Sequence, residues 1–165
     1  MTSATRIDTD RFLKDVEAAA TAAAVFSEVT PVAEGVRCKA KDAAEDAWYW
    51  IVRDGPTWMV RMATPDRWLS ESIEADLMHH GDPMEDLIEE ELVELGHDPR
   101  TDGPMPTVKH FRSEDRLYTF ENPLPVDGAF AAGDLAAATA IARRFLLAYE
   151  AAFRQLGDMA GGDED

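Results

Sequence analysis

Residues 48–62, WYWIVRDGPTWMVRM, constrain this chain more than any other stretch. Two runs rich in aromatic and β-branched residues flank Asp54-Gly55-Pro56, which breaks an extended chain and turns it back. The pattern predicts a β-hairpin with strands at 48–53 and 57–62. A strand has a side-chain period of two, so Trp48, Trp50 and Val52 share one face, and Tyr49, Ile51 and Arg53 share the other. Both faces therefore carry large apolar groups. A sheet with helices on one side needs only one such face. Either the second face is covered within the chain, or Tyr49, Ile51 and their cross-strand neighbour Trp58 meet a second protomer or a bound peptide.

The remaining segments fall around this hairpin. Residues 25–32 and 36–40 are short and β-branched, with Ala33-Glu34-Gly35 between them, and read as a further hairpin. Residues 108–112 and 116–120 flank Ser113-Glu114-Asp115 in the same way. Helical periodicity runs over 8–24, with Asp8 as the cap and Phe12, Val16 and Ala20 on one stripe. It returns over 65–95, entered through Thr64-Pro65 and interrupted at Gly81. There Asp82-Pro83-Met84-Glu85 has the form of a capping box, ahead of the stripe Met84, Ile88 and Leu92. The last helix is capped by Asp134 and ended by Gly157, with Ala138, Ala142, Phe145, Tyr149 and Ala152 in steps of three and four. Phe145 and Tyr149 should pack on the sheet near Trp50. Residues 97–106 and 122–133 are rich in proline and read as loops.

This order, α-β-β-β-β-α-β-β-α, predicts an α+β fold: an antiparallel sheet of about five to six strands with three helical segments, in a single domain over residues 1–157. The acidic, glycine-containing residues 158–165 read as a disordered tail.

Charge narrows the partners. Among 165 residues, 33 are Asp or Glu and 16 are Lys or Arg, a formal net charge of −17. Phosphate binding needs clustered Lys and Arg, so neither nucleic acid nor an anionic membrane is expected. No apolar run reaches the roughly 18 residues that span a bilayer. The opening MTSATRIDTDRFLKD lacks the apolar core of a secretory signal, so a cytoplasmic protein is expected. The lone Cys38 excludes an internal disulfide and a multi-cysteine metal site, and its mid-strand position reads as a small buried apolar residue.

Catalytic patterns are missing. There is no G-x-S-x-G elbow, P-loop, dinucleotide fingerprint or EF-hand loop, and no catalytic residue, metal ligand or cofactor is assigned. An alternative is a metal-assisted hydrolase using His79 and His80 with Asp76 and Asp82. Adjacent helical residues point about 100° apart, which opposes a shared ion, and a place before Gly81 suits a helix C-terminus. Between residues 66 and 98, 12 acidic residues face one basic residue, Arg67. Glu89, Glu90 and Glu94 flank Leu87, Ile88 and Leu92, either as a docking face for a basic partner or as a solvated face that maintains solubility.

The element order resembles the type III secretion chaperone-like fold. Within it, WYWIVRDG–TWMVRMATPDRW and VKHFRSEDRLYTFENPLP leading into RFLLAYEAAFRQLGD resemble YbjN-type proteins, a likeness over residues 8–157. The resemblance implies a small, acidic and generally dimeric protein, and secretion chaperones bind extended segments of clients. It supplies no catalytic or ligand residue. The expectation is a non-enzymatic protein- or peptide-binding module, chaperone-like or regulatory, forming a homodimer and binding a protein or peptide client.

Overall fold

The computed structural model describes residues 3–41, 43, 45–102, 104–114 and 116–160. The elements run α1 (Ser3–Ala23), β1 (Phe26–Val32), β2 (Gly35–Ala40), β3 (Trp48–Asp54), β4 (Thr57–Thr64), α2 (Arg67–His80), α3 (Met84–Glu94), α4 (Pro99–Asp102), β5 (Lys109–Arg112), β6 (Tyr118–Pro123), α5 (Asp127–Ala131) and α6 (Leu135–Arg154), followed by a 3-10 turn at Gly157–Ala160. The six strands form one sheet in the order β1-β2-β3-β4-β6-β5, with every neighbouring pair antiparallel. The fold is α+β, and the predicted order of elements holds. The two segments read as loops differ, because 97–106 contains α4 and 122–133 contains the end of β6 and α5.

Helices pack on one face of the sheet. From that face Cys38, Tyr49, Ile51, Val60, Met62 and Phe120 enter the core. Helix α1 lies over β1 and β2, and α6 lies over β3 and β4 beside α1. The aromatic contacts follow this layering. Tyr49 meets Phe26 at 5.8 Å and Phe153 at 6.4 Å, and Phe120 meets Phe153 at 5.0 Å. Trp58 stands 5.0 Å from Phe12 of α1. Phe145 and Tyr149 are fully buried as predicted. Their sheet-side surroundings are not Trp50, which points to the opposite face by the strand alternation.

Local polar chemistry sets some of the helix ends, though not always through the expected residue. Asp134 caps α6, accepting from Ala137 N at 3.0 Å, and Gly81 closes α2 at φ 79°. Asp8 is no cap, because α1 already begins at Ser3. Thr64 is no cap either. Its hydroxyl donates to the Asp46 carbonyl at 2.6 Å, and Asp66 caps α2 by accepting from Leu69 N at 2.8 Å. The expected capping box is also not formed: Pro83 is the cap residue of α3 without a side-chain bond. Glu85 instead accepts from Val108 N at 2.8 Å, which ties α3 to the start of β5.

Gly157 does more than end a helix. Helix α6 stops at Arg154, and Gly157 opens the 3-10 turn at φ 51°. Its N–H donates to the Asp76 carboxylate of α2, and a Cβ here would lie 2.7 Å from Ile73 N. Only glycine permits that approach. Met159 beyond it is buried, so the 3-10 turn corrects the expected start of a disordered tail at 158. Residues 161–165 of that expected tail lie outside the described residues.

Candidate functional site

The outward face of the sheet is built by the alternation that builds the core. Register places Trp48, Trp50 and Val52 of β3 beside Ala63, Arg61 and Met59 of β4, with Thr119, Glu121 and Pro123 of β6 next in the row. On the other side Lys39 and Arg37 of β2 lie beside Trp48 and Trp50, and Glu28 and Thr30 of β1 follow. Lys109 and Phe111 of β5 complete the far edge. Every helix contact traced above reaches the sheet from the Tyr49 side. Met59 and Ala63 are buried, yet neither joins the core beneath the helices.

Two tryptophans occupy the middle of this face. Trp48 and Trp50 are partly buried, with ring centroids 6.4 Å apart. The Arg37 guanidinium lies 5.9 Å from the Trp48 ring centroid, within reach of a cation–π interaction. Arg61 sits opposite Trp50 and donates from Nε to Glu121 Oε1 at 2.7 Å. Lys39 lies 3.6 Å from Asp46, and Lys109 is the cross-strand partner of Glu121. The face thus gathers the cations Arg37, Lys39, Arg61 and Lys109 against the carboxylates Glu28 and Glu121, on a chain of net charge −17. Aromatic rings and guanidinium groups together are the composition of protein-contact surfaces, where Trp and Arg supply most of the binding energy.

The other residues singled out in the sequence lie elsewhere. Tyr49, Ile51 and Trp58 are exposed by only 1%, 0% and 5%. They are closed against α1, α5 and α6 and do not present a partner surface in this chain, which corrects that expectation. Alternation separates the two faces of β3, but the apolar stripes of the helices decide which face is covered. Glu90 and Glu94 are exposed and Glu89 is partly so, on a helix that packs against α6 through Ile88 and Leu92. They line an open recess with Val93 and Pro99, separate from the tryptophan face.

Titratable groups are dispersed. Burial pushes the Cys38 thiol up to about 12, and Cys38 faces the core. His97 is buried, edge-on to Phe145. His110 stacks on Phe120, with Nε2 2.7 Å from Glu74 and Nδ1 3.0 Å from the Thr119 carbonyl. Asp76, one of the carboxylates near His79, is engaged by Gly157 N–H. The side chain of His80 lies outside the described residues. Among the described residues, no group of three or more His, Cys, Asp or Glu side chains is placed to hold a metal ion. No helix among them is long and apolar enough to cross a membrane.

Sequence reasoning recognised that Trp48 and Trp50 share a face but did not place Arg37, Arg61 and Glu121 there. The signal for Arg61 was its parity within TWMVRM; joining β6 to β4 needed the tertiary structure. No protein-family model matches the chain, and neither the curated proteins nor the solved structures hold a significant match.

Proposed function

We propose that this chain is a non-enzymatic protein-binding module, chaperone-like or regulatory, whose contact surface is the tryptophan-bearing face of the sheet. The observation that carries the reading is the pair Trp48 and Trp50 on the face of the sheet opposite the Tyr49 side where α1 and α6 pack, flanked by Arg37 and Arg61. Each half-buried tryptophan retains apolar area whose removal from water stabilises a complex by about 25 cal/mol per Å². The resemblance of 48–68, 108–125 and 144–158 to YbjN-type proteins supports the same reading, as does the chaperone-like element order. A cytoplasmic setting belongs to the proposal too.

Photo-crosslinking tests it. A benzophenone-bearing residue replaces Trp50 in the full chain, and the producing cells are irradiated. Covalent adducts to polypeptide, whether to another protein or to a second copy, are expected at this position and not at the control position Glu17 on α1. A protein that folds and yields no adduct from position 50 overturns the proposal.

A further inference from the structure

Where β6 ends, the tryptophan face sinks into a cavity of about 410 Å³, within the size range of ligand pockets. Resting on the reading of this face as protein-binding, we propose that the cavity receives a lysine or arginine side chain of the bound polypeptide. Met59 of β4 and Pro123 of β6 are register partners in its lining. Glu121, two residues before Pro123, closes one side, and the exposed Asp54 and Lys109 stand at the rim. The row Trp50, Arg61 and Glu121 joins the cavity to the tryptophans. With strands about 4.8 Å apart, Trp50 and Glu121 are separated by about 10 Å, a span that one bound segment covers.

Glu121 sets the chemistry of the occupant. Its side chain is 9% exposed, and Oε1 accepts from Arg61 Nε at 2.7 Å. The second oxygen, Oε2, accepts no hydrogen bond among the described residues and is not sealed from water. An occupant that fills the cavity takes that water away. A purely apolar group would leave Oε2 without a donor, and an acidic group would set two carboxylates together in a poorly solvated site. A cationic donor compensates, because hydrogen bonds between charged groups are about twice as strong as neutral ones.

Lysine and arginine also carry a methylene stem, which lies against Met59 and Pro123 while the charged head reaches the carboxylates. Asp54 is exposed and has no ion-pair partner among the described residues, so it adds a second carboxylate at the mouth. The net charge of −17 draws cations toward the chain over longer range. Lys109 is the rival within the chain. It is the cross-strand neighbour of Glu121 yet forms no ion pair with it, and it is exposed, so an incoming cation displaces little.

Chemical shifts of isotope-labelled methionine methyl groups test this on the full chain, with Met59→Leu identifying the Met59 signal. The probes are the N-acetyl methylamides of lysine, arginine, norleucine and glutamate, which differ only in the side chain. Lysine and arginine should move the Met59 signal with a dissociation constant on the order of 1 mM, as expected for ligands of this size. Norleucine, with the stem of lysine and no charge, should bind about tenfold more weakly, and glutamate should leave the signal unmoved. Asp54→Asn, at an exposed position, should weaken lysine binding about threefold and Glu121→Gln about tenfold, whereas Lys109→Gln should tighten it by removing the rival cation. Asp54→Asn keeps the test decisive if Glu121→Gln unfolds the chain. Norleucine or glutamate binding as tightly as lysine, or loss of lysine binding in Lys109→Gln, overturns the proposal. So does a shift produced by spermidine and by neither amino-acid derivative, which would make the ligand a free polyamine. If no lysine or arginine probe binds while position 50 still yields adducts, the pocket assignment is wrong and the protein-binding reading stands. If the probes bind but position 50 yields no adduct, the protein-binding reading fails, and the assignment to a bound polypeptide fails with it.

Discussion

Replacing Tyr149 by phenylalanine removes one oxygen from the middle of the core. Tyr149 and Asn122 are both 0% exposed, and the tyrosine hydroxyl donates to Asn122 Oδ1. The amide nitrogen of Asn122 donates to the Pro123 carbonyl at 2.8 Å, so Tyr149 supplies the donor that its Oδ1 needs. In Tyr149→Phe the ring keeps its place, with Phe153 at 5.6 Å, and little volume is lost. The cost is therefore that of a buried carbonyl oxygen left without a donor, about 1–3 kcal/mol. For a chain of this length each kcal/mol lowers the melting midpoint by roughly 2–4 °C, and a 2 kcal/mol loss gives about 4–8 °C. Urea unfolding followed by tryptophan fluorescence measures it, with a lower midpoint at unchanged m-value. Combining the change with Asn122→Ala should cost less than the sum of the two single changes, by about 1 kcal/mol, because both remove the same interaction. A loss below about 0.5 kcal/mol for Tyr149→Phe, or full additivity in the double variant, would refute the buried pair.

Burial raises the hydroxyls of Tyr49 and Tyr149 well above the ordinary tyrosine range. Their contribution to stability is thus complete below a pH of about 10 and is lost as pH rises further, because the unfolded chain releases phenolic protons that the folded chain retains. The stability advantage of the wild type over Tyr149→Phe should fall between about pH 10 and 11.5, by up to about 1.4 kcal/mol per unit; a constant difference measured by urea unfolding contradicts this. With its thiol pushed up to about 12 from 9.0, Cys38 holds about a thousandfold less thiolate near pH 8 than the unfolded chain. Ellman's reagent should label it only as the protein unfolds, and stoichiometric labelling of the native protein within seconds argues against that burial. Changing Glu89, Glu90 and Glu94 together to Gln should leave the fold intact and raise the urea midpoint slightly by relieving like-charge repulsion. It should also leave crosslinking from position 50 unchanged; loss of those adducts would transfer the contact surface to α3.

How much of this was legible in advance follows from the range of the interactions. Residue spacing alone predicts β3 and β4, the cap at Asp134, the stop at Gly81 and the apolar stripe of α6, because each depends on neighbours a few positions away. The α5 turn and the full length of β6 were hidden by proline-rich composition. Pro123 ends β6 opposite Met59, where pairing with β4 rather than local propensity holds the strand.

The candidate site divides in the same way. Alternation within WYWIVR determined by itself that Trp48 and Trp50 share one face while Tyr49 and Ile51 share the other. A strand has two equivalent sides, however, and nothing local says which receives a helix. That choice was made when Phe12 of α1 and Phe153 of α6 packed on Trp58 and Tyr49, burying the side first expected to meet a partner. Insertion of β6 between β4 and β5 then brought Glu121 beside Arg61 across 60 residues of chain, a meeting set by strand order and by no spacing in the sequence.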